Sequence, residues 1–120
     1  MRRNRPEQAI QRAVFEHIAI RGARDCFAFH VPNGGWRSPV EAAIMRGLGV
    51  RAGIPDIIAI RAGCAYALEL KPPGGRLSPA RRDVHAALSA AGATVAVACG
   101  LDAALSQLEA WQVLRGLSHC

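Results

Sequence analysis

The first apolar positions of the chain repeat every three to four residues and predict a helix over residues 5–21. These positions are Ile10, Val14, Phe15 and Ile18. Pro6 suits the first turn of such a helix, and Gly22 is a typical residue after the last turn. Glu7 lies three residues before Ile10, so it extends the apolar stripe instead of the polar face.

Short apolar runs bounded by glycine, proline or polar residues predict four strands, at residues 26–31, 56–61, 64–71 and 94–99. Three further helices are predicted, at residues 39–48, 79–91 and 102–115. Ser78 and Pro79 form a typical N-cap and first-turn pair, and Asp102 is predicted to cap the last helix. Only Ala62 and Gly63 separate the second and third strands, which favours a hairpin. The order of elements predicts an α/β fold with a mixed sheet and helices on its faces.

The size and composition indicate one globular domain spanning residues 1–120. Apolar residues make up 51% of the chain and charged residues 20%, which excludes a disordered polymer. The longest uncharged stretch, residues 84–101, is broken by glycine and is too polar to span a membrane. No secretion leader is evident, and the four cysteines lack the spacing of a zinc site. We therefore expect buried free thiols and a cytoplasmic location.

The charge balance indicates a polyanionic partner. The chain has fifteen basic and nine acidic residues, which gives a net charge of +6 and a pI near 10.1. Nucleic acid is the leading candidate, and a membrane surface is disfavoured because no helix combines a basic face with a bulky apolar one. Fourteen of the cations are arginine, so Lys71 is the single lysine of the chain. A compact ammonium with an adjustable pKa does chemistry that a guanidinium cannot.

The predicted hairpin brings two carboxylates together. If Arg61 faces Cys64, Asp56 lies directly opposite Glu69, with Cβ atoms about 4.5–5.5 Å apart. Like charges so placed are destabilising unless a cation lies between them, and a divalent cation suits carboxylate oxygens. Lys71 leaves the strand on the same face as Glu69. Asp56, Glu69 and Lys71 together suit metal-assisted phosphodiester hydrolysis. A ladder of salt bridges at a strand end would have the same spacing.

These residues carry a family resemblance. Residues 53–56 (Gly-Ile-Pro-Asp), followed thirteen residues later by Glu69-Leu70-Lys71, resemble the Pro-Asp…(Asp/Glu)-x-Lys nuclease superfamily. Further pieces over residues 7–100 resemble the VRR-NUC domain in its short standalone form from bacteria and phage. Those pieces are Glu7 with Gln11, the stretch from His30 through Asn33-Gly34-Gly35 to Arg37, Gly49-Val50, and Gly75-Arg76-Leu77-Ser78.

The resemblance implies a restriction-endonuclease-like fold and DNA cleavage that depends on Mg²⁺ or Mn²⁺. By the resemblance, Asp56, Glu69 and the Leu70 carbonyl would bind the metal, with Glu7 as a further acidic ligand, and Lys71 would be catalytic. Glu7 also has a purely structural interpretation, because the helix dipole stabilises an acidic residue in the first turn of a helix. Domains of this kind are similar to Holliday junction resolvases, enzymes of DNA repair that act as homodimers on branched DNA. Two symmetric nicks need two sites, which fits a homodimer.

The remaining candidates are auxiliary. The family usually has glutamine three residues after the serine that opens the helix following the lysine, and this chain has Arg81 there. Gln11 and His30 are expected near the site, although His30 fits equally an ordinary hydrogen-bonded histidine. Asn33, Gly34 and Gly35 are expected to approach the DNA backbone, with a plain turn as the alternative. Candidate phosphate contacts, each of which is otherwise a solvated charge, are Arg37, Arg46, Arg51, Arg76 and Arg82. The other histidines (His17, His85 and His119) give no signal.

Function follows as a hypothesis with two alternatives. A metal-dependent DNA endonuclease is the leading one. A catalytically weak or inactive nucleic-acid-binding module of the same fold is the runner-up, and Arg81 is its best support because an arginine competes with metal for carboxylates. A small-molecule or membrane-surface protein is weaker still, since no glycine-rich phosphate loop or amphipathic anchor is present.

Overall fold

The computed structural model describes residues 5–32 and 37–116 of the chain. The helices are α1 (Arg5–Arg21), α2 (Pro39–Gly47), α3 (Pro79–Ala90) and α4 (Leu101–Ala110). The strands are β1 (Cys26–His30), β2 (Ile57–Arg61), β3 (Cys64–Lys71) and β4 (Thr94–Cys99). Most bounds lie within one or two residues of those that the sequence predicts.

The four strands form one mixed sheet in the order β1-β2-β3-β4. The β1–β2 and β2–β3 pairs are antiparallel, and the β3–β4 pair is parallel. The parallel pair needs a crossover, and α3 supplies it. The predicted α/β architecture with a mixed sheet is therefore confirmed.

The hairpin between β2 and β3 has the predicted register. Ala62 and Gly63 both have positive φ, +53° and +76°, as a tight two-residue turn that matches the strand twist requires. Arg61 pairs with Cys64, and the ladder continues to Ile57 opposite Leu68. One step beyond the ladder, Asp56 therefore lies across from Glu69.

The hydrophobic core lies on one face of the sheet, where α1 and α4 cover it. Its fully buried members include Val14, Ile57, Leu68, Leu70, Ala104 and Leu108. Because side chains alternate along a strand, Leu68 and Leu70 enter this core while Glu69 points to the opposite face. Helix α3 covers that opposite face beside β4, so Glu69 lies beneath a helix although it is outside the apolar core.

Helix α2 contributes no buried residue. Ser38 caps it in a capping box: the Ser38 hydroxyl accepts from the Glu41 amide, and the Glu41 carboxylate accepts from the Ser38 amide. One stripe of the helix and of the residue after it is apolar and exposed, at Val40, Ile44 and Leu48. A short helix is marginal without tertiary packing, so this stripe is a candidate contact surface.

The bounds predicted for the last helix are wrong at both ends. Gly100 is the N-cap and makes no side-chain cap bond, so Asp102 lies inside the first turn. The helix ends at Ala110 instead of residue 115, because Gln112 takes a positive φ of +63° and turns the chain back. That turn buries Val113 and Leu114, and Leu114 bridges to Gly22. Burial of two apolar side chains outweighs a further helical turn.

The described cysteines are free thiols, but only Cys26 is partly buried. The expectation of burial is wrong for Cys64 and Cys99, which are exposed at the start of β3 and the end of β4. Strand termini lie at the sheet margin, where the covering helices do not reach. Among residues 5–32 and 37–116, no helix is long and apolar enough to cross a membrane.

Candidate active site

Asp56 is held on both sides by neighbouring strands. Its Oδ2 atom accepts a hydrogen bond of 2.8 Å from the backbone amide of Leu70 in β3. Its carbonyl oxygen accepts from the amide of Val31, at 3.0 Å, and from Nδ1 of His30, at 2.7 Å. A carbonyl oxygen only accepts, so Nδ1 of His30 carries the proton in this contact. The carboxylate of Asp56 is therefore fixed in place before any ligand binds.

Glu69 is a buried carboxyl group held between Arg81 and His85. It is 2% exposed. Nη1 of Arg81 lies 3.4 Å from Oε1 and 3.3 Å from Oε2, and Nε2 of His85 lies 3.2 Å from Oε1. A carboxylate this deeply buried requires partners, because an unpaired buried charge is strongly destabilising. Helix α3 supplies both of these partners from one face.

The pKa of Glu69 is raised to about 7. Burial is the main cause, and the negative charge of Asp56 and a hydrogen bond with its carboxylate add to it. Arg81 and Lys71 act in the opposite direction. The negative charge of Asp56 thus acts on Glu69, and a cation bound between them would relieve this repulsion.

Lys71 completes the group at the end of β3. Its side chain is 15% exposed, and Nζ lies 3.6 Å from Oε2 of Glu7 in the first turn of α1. Gln11, one helical turn further, is partly buried. The structure thus brings Glu7 to Lys71, while Asp56 and Glu69 face each other one step away along the sheet.

Sequence reasoning missed His85. Burial lowers the pKa of this imidazole, and the nearby charge of Arg81 lowers it further, so the ring is neutral near pH 7. Four residues separate His85 from Arg81, so both project from the same face of α3. The four-residue spacing of Arg81 and His85 was the signal available in the sequence. It indicates a contact with Glu69 only when the crossover that places α3 on this face of the sheet is known.

The predicted DNA contacts fall into two groups. Arg37, Arg46 and Arg51 line one pocket of about 370 Å³ beside α2. Arg76 and Arg82 are exposed on the loop after β3 and on α3. Asn33, Gly34 and Gly35 lie outside the described residues.

The donor set fits a hard divalent cation held by few protein ligands. Among the residues that the structure describes, no group of three His, Cys, Asp or Glu side chains is arranged to hold a metal. Mg²⁺ is usually bound through one or two carboxylates and keeps several waters or substrate phosphates. Asp56 and Glu69 provide two such carboxylates, and burial together with the negative charge of Asp56 raises the pKa of Glu69, an effect that a bound cation would oppose.

The structure is similar to a solved structure described as a VRR_NUC domain protein, with a TM-score of 0.73 and 24% sequence identity. The match covers 96% of this chain and 97% of that one. No protein-family model and no curated protein matches the sequence. The chain thus shares the VRR_NUC fold over nearly its whole length, which confirms the fold that the sequence resemblance implied.

Proposed function

We propose that the protein is a metal-dependent endonuclease that hydrolyses phosphodiester bonds in DNA. The observation that carries this proposal is the position of Asp56 opposite Glu69, with Lys71 two residues further along the same strand. The shared fold supports it. The proposed substrate is branched DNA such as a Holliday junction, and the proposed setting is one cytoplasmic domain working in DNA repair.

The metal would be Mg²⁺ or Mn²⁺, held by Asp56, Glu69 and the Leu70 carbonyl. When bound, such an ion would lower the pKa of an attacking water and neutralise negative charge that builds up on the phosphate oxygens. Asp56 is already oriented by the Leu70 amide, so one ligand of the set needs no reorganisation. Glu7 is a further acidic group of the site, and its observed contact is with Lys71.

Lys71 is the proposed catalytic cation. A protonated ammonium at this position stabilises negative charge on the phosphate oxygens in the transition state, or positions the attacking group. Its partial burial strengthens that interaction, and its contact with Glu7 fixes the end of a flexible side chain. His30 and Gln11 are proposed auxiliary groups that orient the site from β1 and α1.

The DNA is proposed to bind through its backbone. Net charge +6 favours phosphate, and the candidate contacts are the arginines at positions 37, 46, 51, 76 and 82, with the segment 33–35. Among residues 5–32 and 37–116, no base-reading element is evident, so we propose recognition of shape rather than of sequence.

A homodimer is the proposed assembly, because two nicks in one junction need two sites. The exposed apolar stripe of Val40, Ile44 and Leu48 supports a partner at α2. Ile44→Glu is expected to convert a dimer to a monomer in sedimentation analysis. Ala43→Glu, which adds the same charge beside the stripe, is the control, and equal behaviour of the two variants contradicts this interface.

A second candidate function is a DNA-binding module with weak or no catalysis. The contact of Arg81 with both oxygens of Glu69 favours it, since a guanidinium there competes with a metal. Under this proposal the carboxylates and Arg81 form a structural ion pair, and the basic surface alone acts on DNA.

Cleavage of labelled DNA distinguishes the two. Four-way junction, flap, single-stranded and linear duplex DNA are incubated with the protein in Mg²⁺, Mn²⁺ or EDTA. Lys71→Ala serves as the test variant and Arg24→Ala, an exposed cation between α1 and β1, as the control. Metal-dependent cutting that only Lys71→Ala abolishes supports the nuclease. Binding without cutting under all conditions supports the module instead.

A further inference from the structure

Arg81 occupies the side of Glu69 that a cation would approach. One nitrogen, Nη1, lies at nearly equal distances from the two carboxylate oxygens, 3.4 and 3.3 Å. An ion pair of this kind usually uses two guanidinium nitrogens, one for each oxygen. Here one guanidinium nitrogen faces both oxygens, so the pair lacks the two parallel hydrogen bonds of the usual arrangement.

We propose that Arg81 is an exchangeable counter-ion that couples DNA binding to metal binding. Without DNA, the guanidinium neutralises Glu69. When a DNA phosphate is near, Arg81 moves its contact from the carboxylate to the phosphate, and Glu69 becomes free to hold the cation. This inference rests on the proposed function and names how the same site is regulated.

The contact is weak enough to exchange. Its distances exceed those of charge-assisted hydrogen bonds, which are about 2.7–2.9 Å. The Arg81 side chain is 29% exposed, whereas Glu69 is 2% exposed, so only the cation has a route to solvent. Phosphate is also a better bidentate partner for guanidinium than a carboxylate that it meets through one nitrogen.

The backbone of Arg81 is fixed, so an exchange of partners needs movement of its side chain alone. Arg81 lies in the first turn of α3, where its amide donates to the capping hydroxyl of Ser78. Its stem passes Gly53: a Cβ at position 53 would lie 3.7 Å from Cγ of Arg81 and 3.2 Å from Val84. Gly53 has a φ of +83°, so glycine permits the turn and avoids the close contact with Val84.

Glu69 keeps a partner when Arg81 leaves. Nε2 of His85 lies 3.2 Å from Oε1 through a contact that does not involve Arg81, and Lys71 contributes positive charge from the same strand. The buried carboxylate is therefore held in place during the exchange. A site with Arg81 as the only partner would instead lose its geometry whenever DNA was bound.

The test measures Mn²⁺ binding directly, from the electron paramagnetic resonance signal of free Mn²⁺. Titrations use the wild type, Arg81→Gln and Arg24→Gln, with and without a junction built with phosphorothioate linkages. Arg24 is the control because it is exposed between α1 and β1, carries the same charge and has no proposed role in the site or in DNA binding. Without DNA, Arg81→Gln is expected to bind Mn²⁺ about tenfold more tightly than the wild type, which is about 1.4 kcal/mol. Arg24→Gln is expected to match the wild type.

The second part of the experiment adds DNA. DNA is expected to tighten Mn²⁺ binding to the wild type and to Arg24→Gln, and to have much less effect on Arg81→Gln, since coupling is reciprocal and passes through the Arg81 side chain. If DNA changes the Mn²⁺ affinity of all three proteins equally, the inference about Arg81 is wrong, but the proposed metal site is still supported. Absence of Mn²⁺ binding from all three, with DNA present, overturns the proposed function together with the inference. Arg81→Lys, which keeps a cation, checks the assignment should Arg81→Gln fold poorly, and is expected to bind Mn²⁺ as weakly as the wild type.

Discussion

The amide of Leu70 donates a 2.8 Å hydrogen bond to the carboxylate of Asp56, across the β2–β3 hairpin. The side chain of Leu70 lies in the apolar core, and the next residue is the single lysine. One strand therefore anchors the core, orients the opposite carboxylate and carries two candidate functional groups. The packing of the core and the geometry of the site are thus linked through one short segment.

Asp56→Asn is expected to abolish cleavage without unfolding the protein. The asparagine oxygen still accepts from the Leu70 amide, but the negative charge is lost, and cleavage falls by about 100-fold or more. Asp56→Ala removes the acceptor as well and is expected to cost roughly 1–3 kcal/mol of unfolding free energy. Urea unfolding separates the two variants, with Asp83→Asn, an exposed acid on α3, as the control. Full cleavage by Asp56→Asn would contradict its role as a ligand.

The raised pKa of Glu69 predicts a stability that falls as pH rises. Between pH about 4.5, the ordinary pKa of a glutamate, and pH about 7, the folded carboxyl keeps a proton that the unfolded chain has lost. Unfolding free energy in EDTA is therefore expected to decrease across this range, by at most about 1.4 kcal/mol per pH unit from this group. Glu69→Gln is expected to flatten the slope, and Glu16→Gln, on the exposed face of α1, to leave it unchanged. A steep slope in Glu69→Gln would assign the pH dependence to other groups.

Glu7→Gln tests the anchoring of Lys71. The ion pair is partly exposed, so its loss is expected to change the unfolding free energy by less than about 1 kcal/mol. Cleavage is expected to fall about tenfold, because the ammonium loses a fixed position at the site. Gln8 is the neighbouring exposed residue, and Gln8→Ala is the control. Comparable losses in the two variants would indicate a general effect of helix α1.

The arginine pocket beside α2 predicts a phosphate contact. Arg51→Ala is expected to weaken binding of junction DNA and to reduce the slope of log affinity against log salt by about 1. Fluorescence anisotropy at several salt concentrations measures both quantities. Arg24→Ala removes an exposed charge that does not line this pocket, so it is expected to keep the wild-type slope. An unchanged slope in Arg51→Ala would place the DNA elsewhere.

The sequence predicted the hairpin register because that register is local. Two turn residues fix the pairing of Arg61 with Cys64, and every pair beyond follows from it. The placement of Asp56 against Glu69, and of Lys71 near acidic groups, could therefore be read without knowledge of the rest of the fold.

Other features depend on tertiary contacts that no local pattern contains. His85 meets Glu69 because the crossover lays α3 over β3, and the sequence spacing alone left this histidine unremarkable. The end of α4 was predicted too far along the chain, because burial of Leu114 against the core decides where the helix stops. Cys64 and Cys99 are exposed because they lie at strand ends that the helices packed on the sheet do not cover.

The two-residue turn at Ala62 and Gly63 has a consequence for how this site tolerates change. Because Asp56 and Glu69 lie only thirteen residues apart on the two strands of one hairpin, the turn between them decides that they face each other. One added residue in this turn would shift the register by one position, turn a whole strand face over and separate the two carboxyl groups. A change in the length of this turn would therefore dismantle the candidate site, even if every residue of the site were kept.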